Sequence, residues 1–105
     1  MEKTAMKAAG IKVTGMDHFL GICKKKLVEW YNEAFENMSV YVQEKIDLSN
    51  TYVVWSCKIL QNYKALLSTS VSGDGIYVEF TYNGDKQELY MDVYHKIANV
   101  KITEE

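Results

Sequence analysis

At 105 residues the chain has room for one hydrophobic core and not for two. Hydrophobic residues make up 48% and charged residues 25%, which is too apolar for a disordered chain. The net charge is −2, and all 12 cationic side chains are lysines. With no arginine to supply the bidentate fork that reads guanine edges and phosphates, the composition argues against specific nucleic-acid readout.

Residues 1–13 lack the continuous apolar stretch of a secretory leader, and no apolar run approaches the ~20 residues of a membrane span. Two cysteines without a leader point to a reducing compartment, so the expectation is a cytoplasmic protein. Residues 1–13 read as an N-terminal extension and 14–105 as a single α+β domain. The first strong signal is a helix over about 15–37. It begins at Thr14, with Asp17 in a weak capping box. Met16, Phe19, Leu20, Cys23, Leu27, Trp30, Tyr31, Ala34 and Met38 form one apolar stripe at spacings of three and four. Lys25, Glu29, Asn32, Glu33 and Glu36 occupy the opposite side. Segment 40–48 is ambiguous between an edge strand and a loop.

From residue 51 the period becomes two. Val53, Trp55, Cys57 and Ile59 form one set. Ala65, Leu67, Thr69 and Val71 form the next, followed by Ile76, Val78 and Phe80, then Leu89, Met91 and Val93. Asn83-Gly84 is a strong hairpin signal, because both residues tolerate the positive φ of a type I′ turn. A two-residue loop there sets Val78 opposite Leu89. A four-residue loop at 72–75 sets Thr69 opposite Val78, and a three-residue loop at 61–63 sets Trp55 opposite Thr69. These registers place every apolar set on one face. The predicted architecture is therefore one long N-terminal helix packed on one face of a four- to five-stranded antiparallel meander, with segment 96–102 undecided.

The same registers define the open face. One row reads Ser56–Ser68–Glu79–Glu88 and its neighbour Val54–Ser70–Tyr77–Tyr90, with Asp92 and Tyr94 beyond. Glu79 opposite Glu88 is a repulsive pair that either grips a cation or a partner's lysine, or is simply solvated beside Lys86. Tyr52, Tyr77, Tyr90 and Tyr94 share this face, and tyrosine concentrates at binding surfaces as well as in strands. The candidate binding residues are thus Tyr52, Tyr77, Glu79, Glu88, Tyr90, Asp92 and Tyr94. Cys23 and Cys57 both fall on inward faces, where reduced thiols act as small hydrophobes. His18 and His95 have no spacing that links them to a cysteine or carboxylate in a catalytic or metal pattern. SGDG and NGDK are turn chemistry without the setting of a phosphate loop. No catalytic residues, metal ligands or cofactor are expected.

Val53-Val54-Trp55-Ser56-Cys57-Lys58, Leu60-Gln61-Asn62, Lys64-Ala65-Leu66-Leu67-Ser68-Thr69 and Tyr82-Asn83-Gly84-Asp85-Lys86 carry a resemblance over residues 50–96. They resemble a family of small uncharacterised proteins of low-GC Gram-positive bacteria and their phages. That resemblance implies a phage or prophage accessory protein acting in the host cytoplasm, with no site residues to transfer. The expectation is a non-enzymatic interaction protein that binds a host protein or complex, such as a defence or CRISPR nuclease that it inhibits. Two alternatives stay open: a sponge for a nucleotide signal, with tyrosines stacking the base and Lys58 and Lys86 meeting phosphates, and a single-strand nucleic-acid binder. Homo-oligomerisation is also left open.

Overall fold

The computed structural model describes residues 10–104. Helix α1 spans Met16–Glu36, 21 residues, or about 31 Å at 1.5 Å per residue. Phe19, Cys23, Leu27 and Tyr31 are its buried spine, with Met16, Leu20, Trp30 and Ala34 packed beside them. The start differs from the expected Thr14 cap. Gly15 is the N-cap and makes no side-chain cap bond, while the Thr14 N–H donates to His18 Nδ1 at 3.1 Å. Met38 leaves the stripe because the chain has already turned there, with φ +61 and the side chain exposed.

Residues 40–47 are a loop and not a strand, but they are not loose. Val42 and Ile46 are buried in the core. Asn32, on the polar side of α1, clamps the loop by donating to the Ile46 carbonyl at 2.9 Å and accepting from the Ile46 N–H at 2.8 Å. A short 3-10 turn at Leu48–Asn50, capped by Asp47, delivers the chain into the sheet.

The sheet comprises β1 (Thr51–Ile59), β2 (Asn62–Thr69), β3 (Ile76–Asn83) and β4 (Glu88–His95) in the order β1-β2-β3-β4, each pair antiparallel. The fold is thus α+β, one helix on a four-stranded meander. Residues 96–104 form no strand.

All three hairpins depart from the expected registers. Val78 pairs with Leu67 and not Thr69, a shift of two, and with Val93 and not Leu89, a shift of four. Because both shifts are even, the apolar sets keep their face. In the last hairpin Asn83 is not a turn residue: it pairs with Glu88, and the loop is Gly84–Gln87, with the positive φ at Gln87. Gly84 serves space. A Cβ there would stand 2.8 Å from Gln61 Cβ and collide with the Gln61 carbonyl of the neighbouring β1–β2 turn. Gly84 N–H also donates to Asn62 Oδ1 at 3.0 Å, tying the two hairpin tips together.

The first hairpin breaks the alternation. Its loop is only Leu60–Gln61, with Leu60 at φ +55, and a bulge lies between Val53 and Trp55. The bulge reverses the phase of β1. Thr51 and Val53 face the helix, but beyond Val54 it is Ser56 and Lys58 that do so, opposite Ala65 and Tyr63. Trp55 and Cys57 are therefore not inward residues. Trp55 is 41% exposed, and Cys57 is exposed and unable to meet the buried Cys23.

The helix-side pairs run Thr51–Thr69 and Ile76–His95, Val53–Leu67–Val78–Val93, Ser56–Ala65–Phe80–Met91 and Lys58–Tyr63–Tyr82–Leu89, with Ser56, Lys58 and His95 exposed at the sheet's flanks. At one end Phe19, Tyr63 and Tyr82 cluster, with ring centroids 5.2–6.4 Å apart. Residues 10–13, from the expected N-terminal extension, dock here. Ile11 N–H donates to the Gln87 carbonyl at 2.9 Å, and the Tyr82 hydroxyl donates to the Ile11 carbonyl. Residues 1–9 lie outside the described residues. At the other end the buried Asp74 carboxylate accepts from the Tyr31 hydroxyl at 2.8 Å, from the Ile76 N–H at 3.0 Å and from the Thr69 hydroxyl.

Trp55→Ala should therefore cost less than about 1.5 kcal/mol, as a half-exposed site, whereas Phe19→Ala should cost about 3–5 kcal/mol. Urea unfolding of both variants checks this, and equal losses would contradict the phase reversal.

Alkaline pH supplies a second test. Burial pushes the Cys23 thiol from 9.0 up to about 12. Burial, followed by the Asp74 carboxylate, holds the Tyr31 phenol above its ordinary 10.0. Both groups stay protonated in the fold while the unfolded chain ionises, so the unfolded state binds fewer protons at high pH. The stability they supply is intact below pH 9.0 and drains away as pH rises toward about 12. Chemical denaturation at stepped pH should show this fall, with a shallower slope in Tyr31→Phe and in Cys23→Ala.

Candidate functional site

With α1 on one face, the other face of the sheet has no covering element among the described residues. Its side chains follow from the pairing. Tyr52–Ser68–Tyr77–Tyr94 form one row, Trp55–Leu66–Glu79–Asp92 the next, then Cys57–Lys64–Thr81–Tyr90, with the pairs Ile59–Asn62 and Asn83–Glu88 at the end. The sequence-derived candidates Tyr52, Tyr77, Glu79, Glu88, Tyr90, Asp92 and Tyr94 all lie on this face.

The arrangement within the face differs from the expected one. Glu79 faces Asp92, while Glu88 sits two rows away opposite Asn83. The expected Glu79–Glu88 pair does not form, because the β3–β4 loop is two residues longer than the Asn-Gly reading allowed. Leu66, not Ser68, flanks Glu79 in β2, and Tyr77 pairs with Tyr94 in place of Tyr90. Tyrosines thus run almost across the sheet in a single row.

Among the strand residues of this face, three carboxylates, Glu79, Asp92 and Glu88, stand with one ammonium group. Lys64 Nζ lies 3.7 Å from Glu79 Oε2 and donates to Thr81 Oγ1 at 2.9 Å. Asp92 has no ion pair among the described residues. Tyr90 donates its hydroxyl to Glu88 Oε1 at 2.6 Å, and that carboxylate holds the phenol above its ordinary pKa. Exposed aromatics ringed by carboxylates suit contact with a partner that offers apolar and cationic groups.

Where the tyrosine row meets the β2–β3 loop there is an open depression of about 270 Å³, bordered by Tyr52, Tyr77, Asp74, His95 and Lys96. The Asp74 carboxylate is occupied by the core bonds described above. The His95 ring packs against that of Tyr41, centroids 4.5 Å apart and tilted by 47°, and His18 is engaged at the helix start. Lys58 lies over the Tyr63 ring on the helix side, and Lys86 sits in the β3–β4 loop, so neither joins the tyrosine row. Among the described residues no three His, Cys, Asp or Glu side chains converge as metal ligands, and no helix is long and apolar enough to cross a membrane.

Trp55, Leu66, Lys64 and Cys57 belong to this face and were not among the expected site residues. Tyr52-Val53-Val54-Trp55 is apolar in both phases, so the residue types do not mark where the phase breaks.

Fold and face together define a small helix-on-meander protein that presents an aromatic, acid-edged sheet surface. The chain belongs to a family of unknown function (DUF6275), whose family model matches residues 20–104. No curated protein and no solved structure matches it.

Asp92→Asn should leave stability unchanged or raise it by a few tenths of a kcal/mol, because it relieves the opposition to Glu79. Thermal unfolding measures this, and a loss above about 1 kcal/mol would mean that Asp92 has a structural partner.

Proposed function

We propose that this is a non-enzymatic interaction protein that binds a protein partner through the open face of its sheet. The observation that carries the reading is the row Tyr52–Ser68–Tyr77–Tyr94 with Trp55 beside it. Large, rotamer-poor aromatics are left uncovered there and are edged by Glu79, Asp92 and Glu88. Such a face fits a partner patch with apolar side chains at its centre and lysine or arginine around it. Taken with the resemblance to small proteins of low-GC Gram-positive bacteria and their phages, the partner is a host protein, and the role is that of a phage or prophage accessory protein. A defence nuclease of the CRISPR type, which presents basic nucleic-acid channels, is a partner of the right charge.

A second reading, a sponge for a small nucleotide signal, is favoured by one observation. The depression of about 270 Å³ sets Tyr52 and Tyr77 beside Lys96 and His95. Its size is at the lower edge of small-ligand sites. Single-strand nucleic-acid binding is opposed by the carboxylates interleaved with the aromatics.

Affinity capture from host lysate should return a partner with the wild-type chain and lose it with Tyr77→Ala/Tyr94→Ala, both variants retaining the wild-type circular dichroism spectrum. Capture that is indifferent to these changes would remove the face as the binding surface. A melting temperature raised by a nucleotide, with no protein captured, would favour the sponge.

A further inference from the structure

Residues 96–104 follow β4 without forming helix or strand. Their root is fixed, since Lys96 N–H donates to the Gly75 carbonyl at 2.7 Å beside the depression that borders Tyr52 and Tyr77. Beyond it the chain is bare: Ile97 is 94% exposed, Val100 70% and Ile102 84%. Yet Ala98, Val100 and Ile102 alternate with Asn99, Lys101 and Thr103, the pattern of a half-buried strand. A segment patterned for burial on one side is thus left without a surface of its own.

We infer that the open sheet face is occupied by residues 97–103 of a second copy of this chain, exchanged reciprocally in a two-fold dimer. The inference rests on the reading of that face as a binding surface and adds its occupant. Both sides of the contact are present in every chain. The face offers Tyr52, Trp55, Tyr90 and Tyr94, all exposed, and the segment offers Val100 and Ile102. Charge is complementary within the segment: its single charged residue, Lys101, stands between Val100 and Ile102, Glu104 follows only after it, and Glu79, Asp92 and Glu88 edge the aromatics. The lysine stem is long enough to fold past the peptide toward those carboxylates. Reach is sufficient as well, because seven extended residues span about 23 Å and the outer strands of a four-stranded sheet lie about 14 Å apart. A contact between a segment and a face elsewhere on the molecule closes into a pair when it is made twice about one two-fold axis.

Sedimentation velocity over a range of concentrations tests this. The wild-type chain of 12.1 kDa should pass to a species of twice that mass as concentration rises. Val100→Asp/Ile102→Asp should weaken dimerisation at least about tenfold, and so should Tyr94→Asp. An equimolar mixture of the segment variant with the face variant retains one intact segment-on-face contact, so mixed dimers should reappear that neither variant forms alone. A wild type that stays monomeric throughout overturns the inference, as does a segment variant that dimerises like wild type, which would indicate face-on-face stacking. Capture of a lysate partner is scored separately. Capture with a monomeric wild type would sink the dimer and leave the proposed function standing, and a dimer without capture would do the reverse.

Discussion

The Asp74 carboxylate ties together parts of the chain that would otherwise be independent. It takes the hydroxyl of Tyr31 from the helix, that of Thr69 from the end of β2 and the N–H of Ile76 at the start of β3. Hydrogen bonds to a charged group contribute about 1.5–3 kcal/mol each, and an unsatisfied buried carboxylate would cost more than any one of them returns. Because those donors come from α1, β2 and β3, the anion fixes the central hairpin against the helix. Gly73 and Gly75, at φ +77 and +63, let the loop fold around the carboxylate. The Gly75 carbonyl then holds the start of the segment that follows β4. The tyrosine row begins directly beside this loop, so the anchoring of the core and the placement of the open face share one cause.

How much of this was legible depended on which physical signal each element carried. The helix was written in a stripe of nine residues, and only its ends were misread: Thr14 does not cap, and Met38 falls past the turn. The meander was legible because alternation constrains which face a residue takes. Alternation fixes register only to within an even number of residues, however, so two hairpins could slip by two and by four without cost to the pattern. Asn83-Gly84 misled because glycine answers two needs, positive φ and close approach, and here it answers the second, against Gln61. The β1–β2 turn places its positive φ on Leu60, a residue type that sequence reasoning does not assign to such a position.

The binding face was legible in membership and not in arrangement. Parity alone puts Tyr77, Glu79, Glu88, Tyr90, Asp92 and Tyr94 together, whatever the even slip. Which of them are neighbours depends on loop length, and so Glu79 meets Asp92. Trp55 was hidden by the bulge, which leaves no residue-type signature in a strand apolar in both phases. Asp74, read from sequence as a local turn residue, proved to bond across 43 positions of chain to Tyr31, a partnership that only the packed helix creates.

The bulge in β1 has a consequence for how this molecule can meet strands. A sheet with two free edges invites polymerisation, because the first strand of one molecule can join the last strand of the next without end. Here one border is out of phase with itself: its two halves present alternating donors and acceptors in opposite register, so a straight incoming strand can match only part of it. The β4 border is regular along its length. The β1 flank is therefore the poorer template for a straight strand, and β4 against β4, a joining that stops at two, is the pairing the edges best allow. An aromatic surface this open can thus be carried by a chain whose geometry resists growing into a fibre.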